Sequence, residues 1–403
     1  MSKPISIVLV GISGMGSVYV QELLEKRESG KFEIKGAVDP WPERCPHLVE
    51  LQKLDIPIFK SLEKFYKKNR AELAIISSPI HFHSPQTQLA LSQGSHVLCE
   101  KPISATIQEA RGMIKAKEKA GKWVAIGFQW SFSTAIQELK KDILKGIFGK
   151  PRLLRCLYLW PREKSYYLRN DWAGKKCDSQ GNWILDSPMN NAMAHDLHNM
   201  FYILGKKREE SILPLEVEAE LFRAYDIQNF DSGAARCLTE KGVEILFYAS
   251  HASFNDCGPI FSYEFSRGAV FGRGRNSEIK ARFEDGSVKN YGCPESRPLQ
   301  KLWDALRSVR GKKDIACGLE AAMSQTLCLN GIQDSMPEIM SFPKKLLHLE
   351  EKEGKQRIWV EGLDEVFKQC YEKCLLPSEM GVSWSRKGRK ISLTNYKTFP
   401  CRL

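Results

Sequence analysis

The 403-residue sequence lacks a long apolar run. Its first apolar segment, ISIVLV at residues 5–10, leads directly into glycines. A membrane helix needs about 20 apolar residues, and a secretory signal needs a longer apolar core followed by a cleavage site. We therefore expect a cytoplasmic protein without a membrane span or a removed leader, in which residues 5–10 form a buried strand.

The twelve cysteines lack the spacing of a disulfide framework or a metal site. They are scattered from Cys45 to Cys401 without a CxxC pair, and the two closest, Cys370 and Cys374, have helical spacing. Scattered cysteines are typical of thiols in a reducing compartment, whereas zinc needs clustered ligands. The sequence predicts neither disulfides nor a metal ion.

The basic residues lack the clustering of a nucleic-acid-binding module, although the net charge is +12. The one dense basic run, RKGRK at residues 386–390, is typical of a solvated tail. A general positive charge would help to attract a ligand that carries phosphates. We expect a small-molecule partner, and neither nucleic acid nor membrane.

Residues 1–126 alternate short apolar segments with amphipathic ones. This β-α-β rhythm, with strands apolar throughout, predicts a parallel sheet covered on both faces. Residues 127–345 contain several strand-like segments, including a hairpin whose turn is Asp285-Gly286, and predict an α+β domain with a largely antiparallel open sheet. Residues 346–403 form a C-terminal extension that we expect to pack on the other domains.

A glycine turn, GISGMG at residues 11–16, follows the first strand. Glycines allow a tight turn and a close approach to a pyrophosphate, which the N-terminus of the following helix attracts. The glycine spacing is GxxGxG rather than the usual dinucleotide-binding pattern GxGxxG. The assignment of a dinucleotide site therefore also depends on the surrounding β-α-β pattern. That context makes the N-terminal domain a Rossmann domain for a dinucleotide, with these residues as candidates: Gly11, Ser13, Gly14, Met15 and Gly16.

Asp39 ends the second predicted strand, about 20 residues after the glycine turn. A carboxylate there suits the ribose hydroxyls of the adenosine and would repel a 2′-phosphate, so NAD is favoured over NADP. The loop after the next strand supplies Ser78, Pro79 and His83 as further cofactor candidates. If this loop is extended, His81 and His83 point to opposite sides.

Five segments in order resemble the oxidoreductases related to glucose-fructose oxidoreductase and inositol dehydrogenase, the Gfo/Idh/MocA family. Besides the glycine turn they are AVDP at 37–40, SPIHFH at 78–83, CEKP at 99–102 and GFQ at 127–129. The resemblance covers roughly residues 5–345. It adds Glu100, Lys101 and Gln129 to the cofactor candidates. It also implies a substrate pocket between two domains and a homo-oligomer, a dimer or a tetramer, formed through the C-terminal sheet.

The resemblance further implies that Lys101 contacts both nicotinamide and substrate, and that a histidine on a later helix is the acid/base. Residues 190–204 are predicted to form that helix, with His195 as the base. Asn191 stands where the family usually has an aspartate, and His198 replaces a later aspartate. Asp186 is the candidate that could supply the missing carboxylate. Helical spacing would place residues 191, 195 and 198 on one face.

The loop before this helix is rich in aromatic and planar polar groups, which suit a sugar or polyol. The substrate candidates are Tyr166, Tyr167, Arg169, Trp172, Asn190 and His198. A folded loop without ligand contacts would look much the same.

The leading hypothesis is an NAD-dependent dehydrogenase that removes hydride from a secondary hydroxyl of a sugar, cyclitol or glycoside. Histidine suits removal of the hydroxyl proton, and a lysine can stabilise the developing negative charge. One alternative is a glycoside hydrolase that uses NAD for transient oxidation followed by elimination. Another is a dinucleotide-binding sensor without catalysis.

Overall fold

The computed structural model describes residues 3–400. Cys401 lies outside the described residues. The strands are, in chain order, β1 (Ile5–Val10), β2 (Phe32–Val38), β3 (Ile58–Phe59), β4 (Leu73–Ile76), β5 (His96–Cys99), β6 (Val124–Ile126), β7 (Pro151–Leu159), β8 (Pro214–Arg223), β9 (Ser232–Thr239), β10 (Glu244–Ser250), β11 (Cys257–Phe265), β12 (Gly268–Arg273), β13 (Ile279–Phe283), β14 (Val288–Gly292), β15 (Met340–Ser341), β16 (Leu347–Lys352), β17 (Lys355–Val360) and β18 (Ile391–Ser392).

The α-helices are, in chain order, α1 (Met15–Glu25), α2 (Leu48–Lys53), α3 (Leu62–Tyr66), α4 (Ile80–Ser92), α5 (Ile107–Ala120), α6 (Thr134–Leu144), α7 (Lys164–Leu168), α8 (Ala194–Ile203), α9 (Gln300–Val309), α10 (Leu319–Ser335) and α11 (Leu363–Lys373). Between residues 3 and 400, none of them combines the length and the apolar character that crossing a bilayer requires.

The chain divides into two compact units. The first contains residues 1–104, 108–132 and 298–322, and the second contains residues 105–107, 133–297 and 323–403. Helix α9 therefore belongs to the first unit, although the sequence-based division places it in the second domain. The C-terminal extension groups with the second unit.

The first unit is built on a six-stranded sheet in the order β3-β2-β1-β4-β5-β6. Every pair in it is parallel. This is the strand order of the Rossmann fold, in which a ligand binds outside the carboxyl ends of the strands where the order reverses, here between β1 and β4. The strands are buried because helices cover the sheet, which explains their uninterrupted apolar sequences.

The second unit is built on a larger sheet in the order β14-β13-β12-β11-β7-β10-β9-β8-β15, with β18 added beside β8. The β7–β10 and β8–β15 pairs are parallel and the others are antiparallel. Strands β13 and β14 form the predicted hairpin around Asp285-Gly286. The predicted fold class, a Rossmann domain followed by a domain with a largely antiparallel sheet, is confirmed.

The C-terminal extension covers one face of this second sheet. Side chains alternate along a strand, and Leu157, Leu246 and Tyr248 point to the same face. There they form an apolar cluster with Phe367 of α11 and with other residues of the extension. Helix α8 packs on the opposite face, where Asn199 donates to the hydroxyl of Tyr263 at 3.2 Å.

One local expectation holds and another is wrong. Helix α4 begins at Ile80, so His81 and His83 lie in its first turn and the conditional extended arrangement does not occur. The predicted helix over residues 190–204 is interrupted: residues 188–192 form a π-helical turn and α8 begins only at Ala194. The cause is local, because Pro188 and the Ser187 cap start a separate turn, in which the N–H of Met193 donates to the carbonyl of Pro188.

Candidate functional site

The glycine turn of the first unit is shaped by close backbone contacts. A Cβ on Gly11 would lie 2.8 Å from the backbone nitrogen of Ser78, and one on Gly16 would lie 1.9 Å from the carbonyl oxygen of Gly11. Gly14 has a φ of 55° but faces open space, because no atom lies within 4 Å of the point that a Cβ would occupy. Helix α1 begins directly after it, at the exposed Met15. The turn therefore presents a helix N-terminus and an unobstructed backbone, as a pyrophosphate requires.

Asp39 connects the end of β2 to this turn. Its carboxylate accepts from the N–H of Ile12 at 3.0 Å and from the N–H of Trp41 at 2.9 Å, and it lies 3.5 Å from the Ser13 hydroxyl. The predicted acidic residue and the predicted glycine turn are thus brought together. Asp39 also stabilises the turn, so its role is structural as well as electrostatic.

His83 joins two loops at the carboxyl edge of the sheet. Its Nδ1 lies 2.7 Å from the carbonyl oxygen of Pro102, and its Nε2 lies 2.8 Å from that of Ser78. Burial lowers the pKa of His83, although the two carbonyl contacts act in the opposite direction. The Ser78 hydroxyl donates to Gln86, and Pro79 precedes the first residue of α4. His83 therefore holds the Ser78 loop against the loop that carries Lys101.

Glu100 is enclosed by two residues that the sequence analysis missed. The Tyr19 hydroxyl donates to its carboxylate at 2.6 Å, and the ammonium of Lys301 forms an ion pair with the same oxygen. The Lys301 side chain is 1% exposed. Burial alone would raise the pKa of Glu100, but Lys301 and the hydrogen bonds outweigh it and lower the pKa. No local pattern marks Lys301, because it lies 201 residues from Glu100.

Lys101 stands beside this buried pair and is itself partly exposed. Its backbone N–H donates to Glu100 at 3.2 Å. An added Cβ on Gly127 would lie 2.9 Å from the Glu100 carboxylate, so the GFQ segment also packs against the pair. Gln129 follows in a short 3-10 turn and is partly exposed. The network thus fixes the backbone at the end of β5 from which Lys101 projects.

In the second unit, Asp186 and Asn191 form a hydrogen-bonded pair. Asn191 Nδ2 donates to Asp186 Oδ1 at 2.8 Å, and the N–H of Gly174 donates to Oδ2 at 2.7 Å. Asp186 is buried, whereas Asn191 is partly exposed. Position 191 thus has an amide instead of a carboxylate, and the buried carboxylate of Asp186 is hydrogen-bonded to that amide.

His195 is partly exposed in the first turn of α8, whereas His198 and Asn190 are buried. The ring of His198 stacks on Tyr202 at 5.6 Å, and burial lowers its pKa to about 3, so it is neutral. Asn190 donates to the carbonyl of Leu185 at 3.1 Å. Because the helix is interrupted at residue 193, the expected common face of residues 191, 195 and 198 does not arise from one continuous helix.

Asp196, next to His195, is a further residue that the sequence analysis missed. It is buried, and its Oδ1 has no hydrogen-bond partner within residues 3–400. Burial, and then the charge of Glu295, raise the pKa of Asp196 to about 8. Its carboxyl group is therefore mostly protonated at neutral pH.

The aromatic loop before this region is held against it. Asn229 donates to the carbonyl of Asp186 at 3.0 Å, and its own N–H donates to the carbonyl of Gly174 in the loop. Tyr167 is hydrogen-bonded to His251 at 3.0 Å, and Tyr166 packs edge-on against the same imidazole. Arg169 lies over the Tyr166 ring at 3.7 Å and over that of Trp172 at 5.2 Å.

Comparison with known proteins agrees with this architecture. Residues 5–128 match the family described as an oxidoreductase family with an NAD-binding Rossmann fold, GFO_IDH_MocA. A 1-carboxy-3-chloro-3,4-dihydroxycyclohexa-1,5-diene dehydrogenase from Comamonas testosteroni is 26% identical over 44% of this chain and 45% of its own length. An inositol 2-dehydrogenase/D-chiro-inositol 3-dehydrogenase from Halalkalibacterium halodurans is 22% identical over 61% of this chain and 72% of its own length.

Solved structures show the same fold over most of the chain. The WlbA dehydrogenase from Bordetella pertussis, crystallised with NADH and UDP-GlcNAcA, superposes with a TM-score of 0.68 at 19% identity. The match covers 83% of this chain and 97% of that one. This superposition confirms the two-part fold, and the match of residues 5–128 confirms the resemblance expected from the N-terminal motifs together with its NAD-binding Rossmann description. Residues 5–128 thus match the Gfo/Idh/MocA oxidoreductase family, and this part of the chain is an NAD-binding Rossmann fold.

Proposed function

We propose that this protein is an NAD-dependent dehydrogenase that oxidises a secondary hydroxyl of a sugar, cyclitol or glycoside. One observation carries the proposal: the glycine turn, the Ser78 loop and Lys101 follow three strands whose ends are aligned. Val10 pairs with Ile76, and Ile76 pairs with Cys99. The carboxyl edge of the Rossmann sheet therefore combines a diphosphate cradle with a partly exposed amine.

The residues at this edge fit the cofactor. The α1 N-terminus and the open space at Gly14 would hold the pyrophosphate, and Asp39 would accept hydrogen bonds from the adenosine ribose. When bound, NAD⁺ supplies the acceptor for the hydride. Lys101 would donate to the substrate oxygen and stabilise negative charge as it develops.

His195 is the residue that we assign to proton removal. Its partly exposed imidazole can accept the hydroxyl proton while the carbon–hydrogen bond breaks. Asn191, held by Asp186, would orient the substrate hydroxyl through its amide. The Asp186–Asn191 pair thereby supplies polarity without a negative charge at the surface.

The proposal is tested with purified protein, NAD⁺ and a panel of inositols, hexoses and aryl glycosides, with NADH absorbance as the readout. Wild type should form NADH with at least one compound, and His195→Asn and Lys101→Met should each reduce the rate by about 100-fold or more. Both variants should still bind NADH, measured by fluorescence. Failure of wild type to bind NADH, or full activity in both variants, would refute the proposal. Release of aglycone without net NADH would instead support the glycosidase alternative.

A further inference from the structure

Arginines alternate with aromatic rings along the segment that follows β7. The guanidinium carbon of Arg162 lies 3.6 Å from the ring centroid of Trp160 and 4.5 Å from that of Tyr166. Arg169 covers the Tyr166 ring in turn, and Trp172 flanks Arg169. We call these five residues the arginine–aromatic row: Trp160, Arg162, Tyr166, Arg169 and Trp172. Both guanidinium groups thus lie against aromatic faces, and Nη1 of Arg169 also donates to the carbonyl of Tyr166.

The row carries positive charge that the protein does not neutralise. Among residues 3–400, neither Arg162 nor Arg169 has an ion-pair partner, and the buried Nε of Arg162 has no hydrogen-bond acceptor. A third arginine, Arg275, also lies over Trp160 at 4.6 Å, but it is paired with Asp256. Burial lowers the pKa of Arg162, and the charge of Arg169 acts in the same direction.

Two buried carboxylates of this unit, Asp186 and Asp231, are held by other groups. Asp186 accepts from the N–H of Gly174 and from Asn191. Asp231 accepts from the N–H groups of Ala224 and Tyr225 at 2.7 and 2.8 Å. These bonds hold both carboxylates in place, and the half-buried Arg162 and the exposed Arg169 remain without an ion-pair partner among residues 3–400.

His251 adds an unsatisfied polar atom beside the row. It is 1% exposed, its Nδ1 is bonded to Tyr167, and its Nε2 has no partner within the described residues. Burial, followed by the charges of Arg162 and Arg169, lowers its pKa well below the ordinary value. A neutral, buried imidazole therefore lies beside the row, with its Nε2 unsatisfied within the described residues.

The row is connected to the helix that carries His195. Trp160 stacks on Tyr158 of β7 with ring centroids 5.5 Å apart, and α8 packs on β7. Gly174, at the other end of the aromatic loop, is bonded to Asp186, which in turn is bonded to Asn191. Both ends of the segment are thus tied to the elements on either side of His195.

We propose that the arginine–aromatic row binds an anionic group of the substrate, so that the substrate is a sugar or cyclitol derivative carrying a carboxylate or a phosphate ester. The proposal rests on the function proposed above and narrows its substrate class. Carboxylate and phosphate both match the planar N–H edge of arginine, and the aromatic faces suit an adjoining sugar ring. Binding would neutralise two charges whose mutual repulsion the folded protein otherwise retains.

Binding can be measured without turnover, by calorimetry on the full-length protein with NADH present. The probes are D-glucose, D-glucuronate and D-glucose 6-phosphate, so that the two anions distinguish carboxylate from phosphate recognition. We expect at least one anion to bind about tenfold or more tightly than D-glucose, with an affinity that falls as salt is added. Arg169→Gln and Arg162→Gln should each lose about tenfold of that anion's affinity and leave D-glucose binding unchanged.

Matched variants separate recognition from folding. Arg282→Gln removes the same charge from an exposed position on β13. It should change neither the affinity for the anion nor the affinity for D-glucose. Arg169 is itself exposed, so its variant should fold even if the half-buried Arg162 variant does not. Arg162→Lys keeps the charge without the planar edge and should bind the anion less tightly than wild type.

The proposal is overturned if neither anion binds more tightly than D-glucose, or if Arg169→Gln leaves the preference for the anion intact. An equal loss of D-glucose and anion binding in the variants would show a merely structural role and would also overturn it. Selective anion binding without NADH formation from any sugar would support anion binding by the arginine–aromatic row and refute the proposed dehydrogenase activity. NADH formation from neutral sugars without any anion preference would support the dehydrogenase activity and refute anion binding by the row.

Discussion

Among single residues, Lys301 and Glu100 form a buried ion pair on which stability should depend. Removing one member leaves the other charge without compensation in the interior, which destabilises a protein by about 3–5 kcal/mol. Lys301→Met should therefore lower the free energy of unfolding by that amount in urea denaturation. Combining it with Glu100→Gln should recover much of the loss, because no buried charge then remains. A change below about 1 kcal/mol in the single variant would contradict the role assigned to Lys301.

Because the pKa of Asp196 is raised in the folded protein, the free energy of unfolding should fall as the pH rises towards 8. Its pKa in the folded protein is about 8, above the ordinary value of an aspartate in an unfolded chain. Its stabilising contribution is therefore complete below the unfolded pKa and is lost as the pH rises through 8. Relative to wild type, Asp196→Asn should become progressively more stable between about pH 5 and pH 8, by up to roughly 1.4 kcal/mol per pH unit. Parallel pH profiles would contradict the prediction, and Asp171→Asn, at an exposed position, is the control.

Asp39 should determine which dinucleotide binds. Its negative charge lies beside the glycine turn, where it would repel the 2′-phosphate of NADPH. Asp39→Asn keeps an oxygen that can accept from Ile12 but removes the charge. The ratio of NADH to NADPH affinity, measured by fluorescence titration, should fall by roughly tenfold. Glu43→Gln, at a nearby exposed position, should leave the ratio unchanged, and an unchanged ratio in Asp39→Asn would refute the assignment.

At the scale of elements, α11 seals one face of the second sheet. Phe367 is fully buried there and lies 6.2 Å from the ring of Tyr248. Phe367→Ala should lower the free energy of unfolding by about 3–5 kcal/mol, because it leaves a cavity under the helix. Gln369→Ala, on the exposed side of the same helix, should change it by less than about 0.5 kcal/mol. Equal effects of the two variants would show that α11 does not contribute to the core.

The interruption before α8 has a functional consequence. A continuous helix would present residue 191 one turn before His195, whereas the π-helical turn directs Asn191 to Asp186. The same turn leaves Asn190 and His198 buried. We therefore expect His195 and Asn191, rather than Asn190 or His198, to meet the substrate directly.

At the scale of the whole molecule, the extension restricts how copies of the chain can associate. The homo-oligomer expected through the second sheet stays a prediction. The face of β7, β8, β9 and β10 that carries Leu157 and Tyr248 is already covered by residues of the extension. An interface through the sheet would therefore have to use other surfaces.

The net charge of +12 should influence how the cofactor arrives. A positive field accelerates association with a dinucleotide, and salt screens it. The association rate of NADH, measured by stopped-flow fluorescence, should fall several-fold between low salt and about 0.5 M salt. The dissociation rate should change much less, and a salt-independent association rate would contradict the expectation.

Local sequence patterns were enough to predict the Rossmann domain, the glycine turn with Asp39, and the order of motifs that leads to Lys101. These features depend on residues that are close in the chain, so strand periodicity and turn chemistry suffice to predict them. The hairpin around Asp285-Gly286 was predictable for the same reason. Tertiary structure alone decided the pairing of Glu100 with Lys301, the contact of Asp186 with Asn191, the buried state of Asp196 and the uncompensated charge of the arginine–aromatic row. Each of these depends on which groups burial brings together and which it separates from water, and local sequence patterns carry no such information.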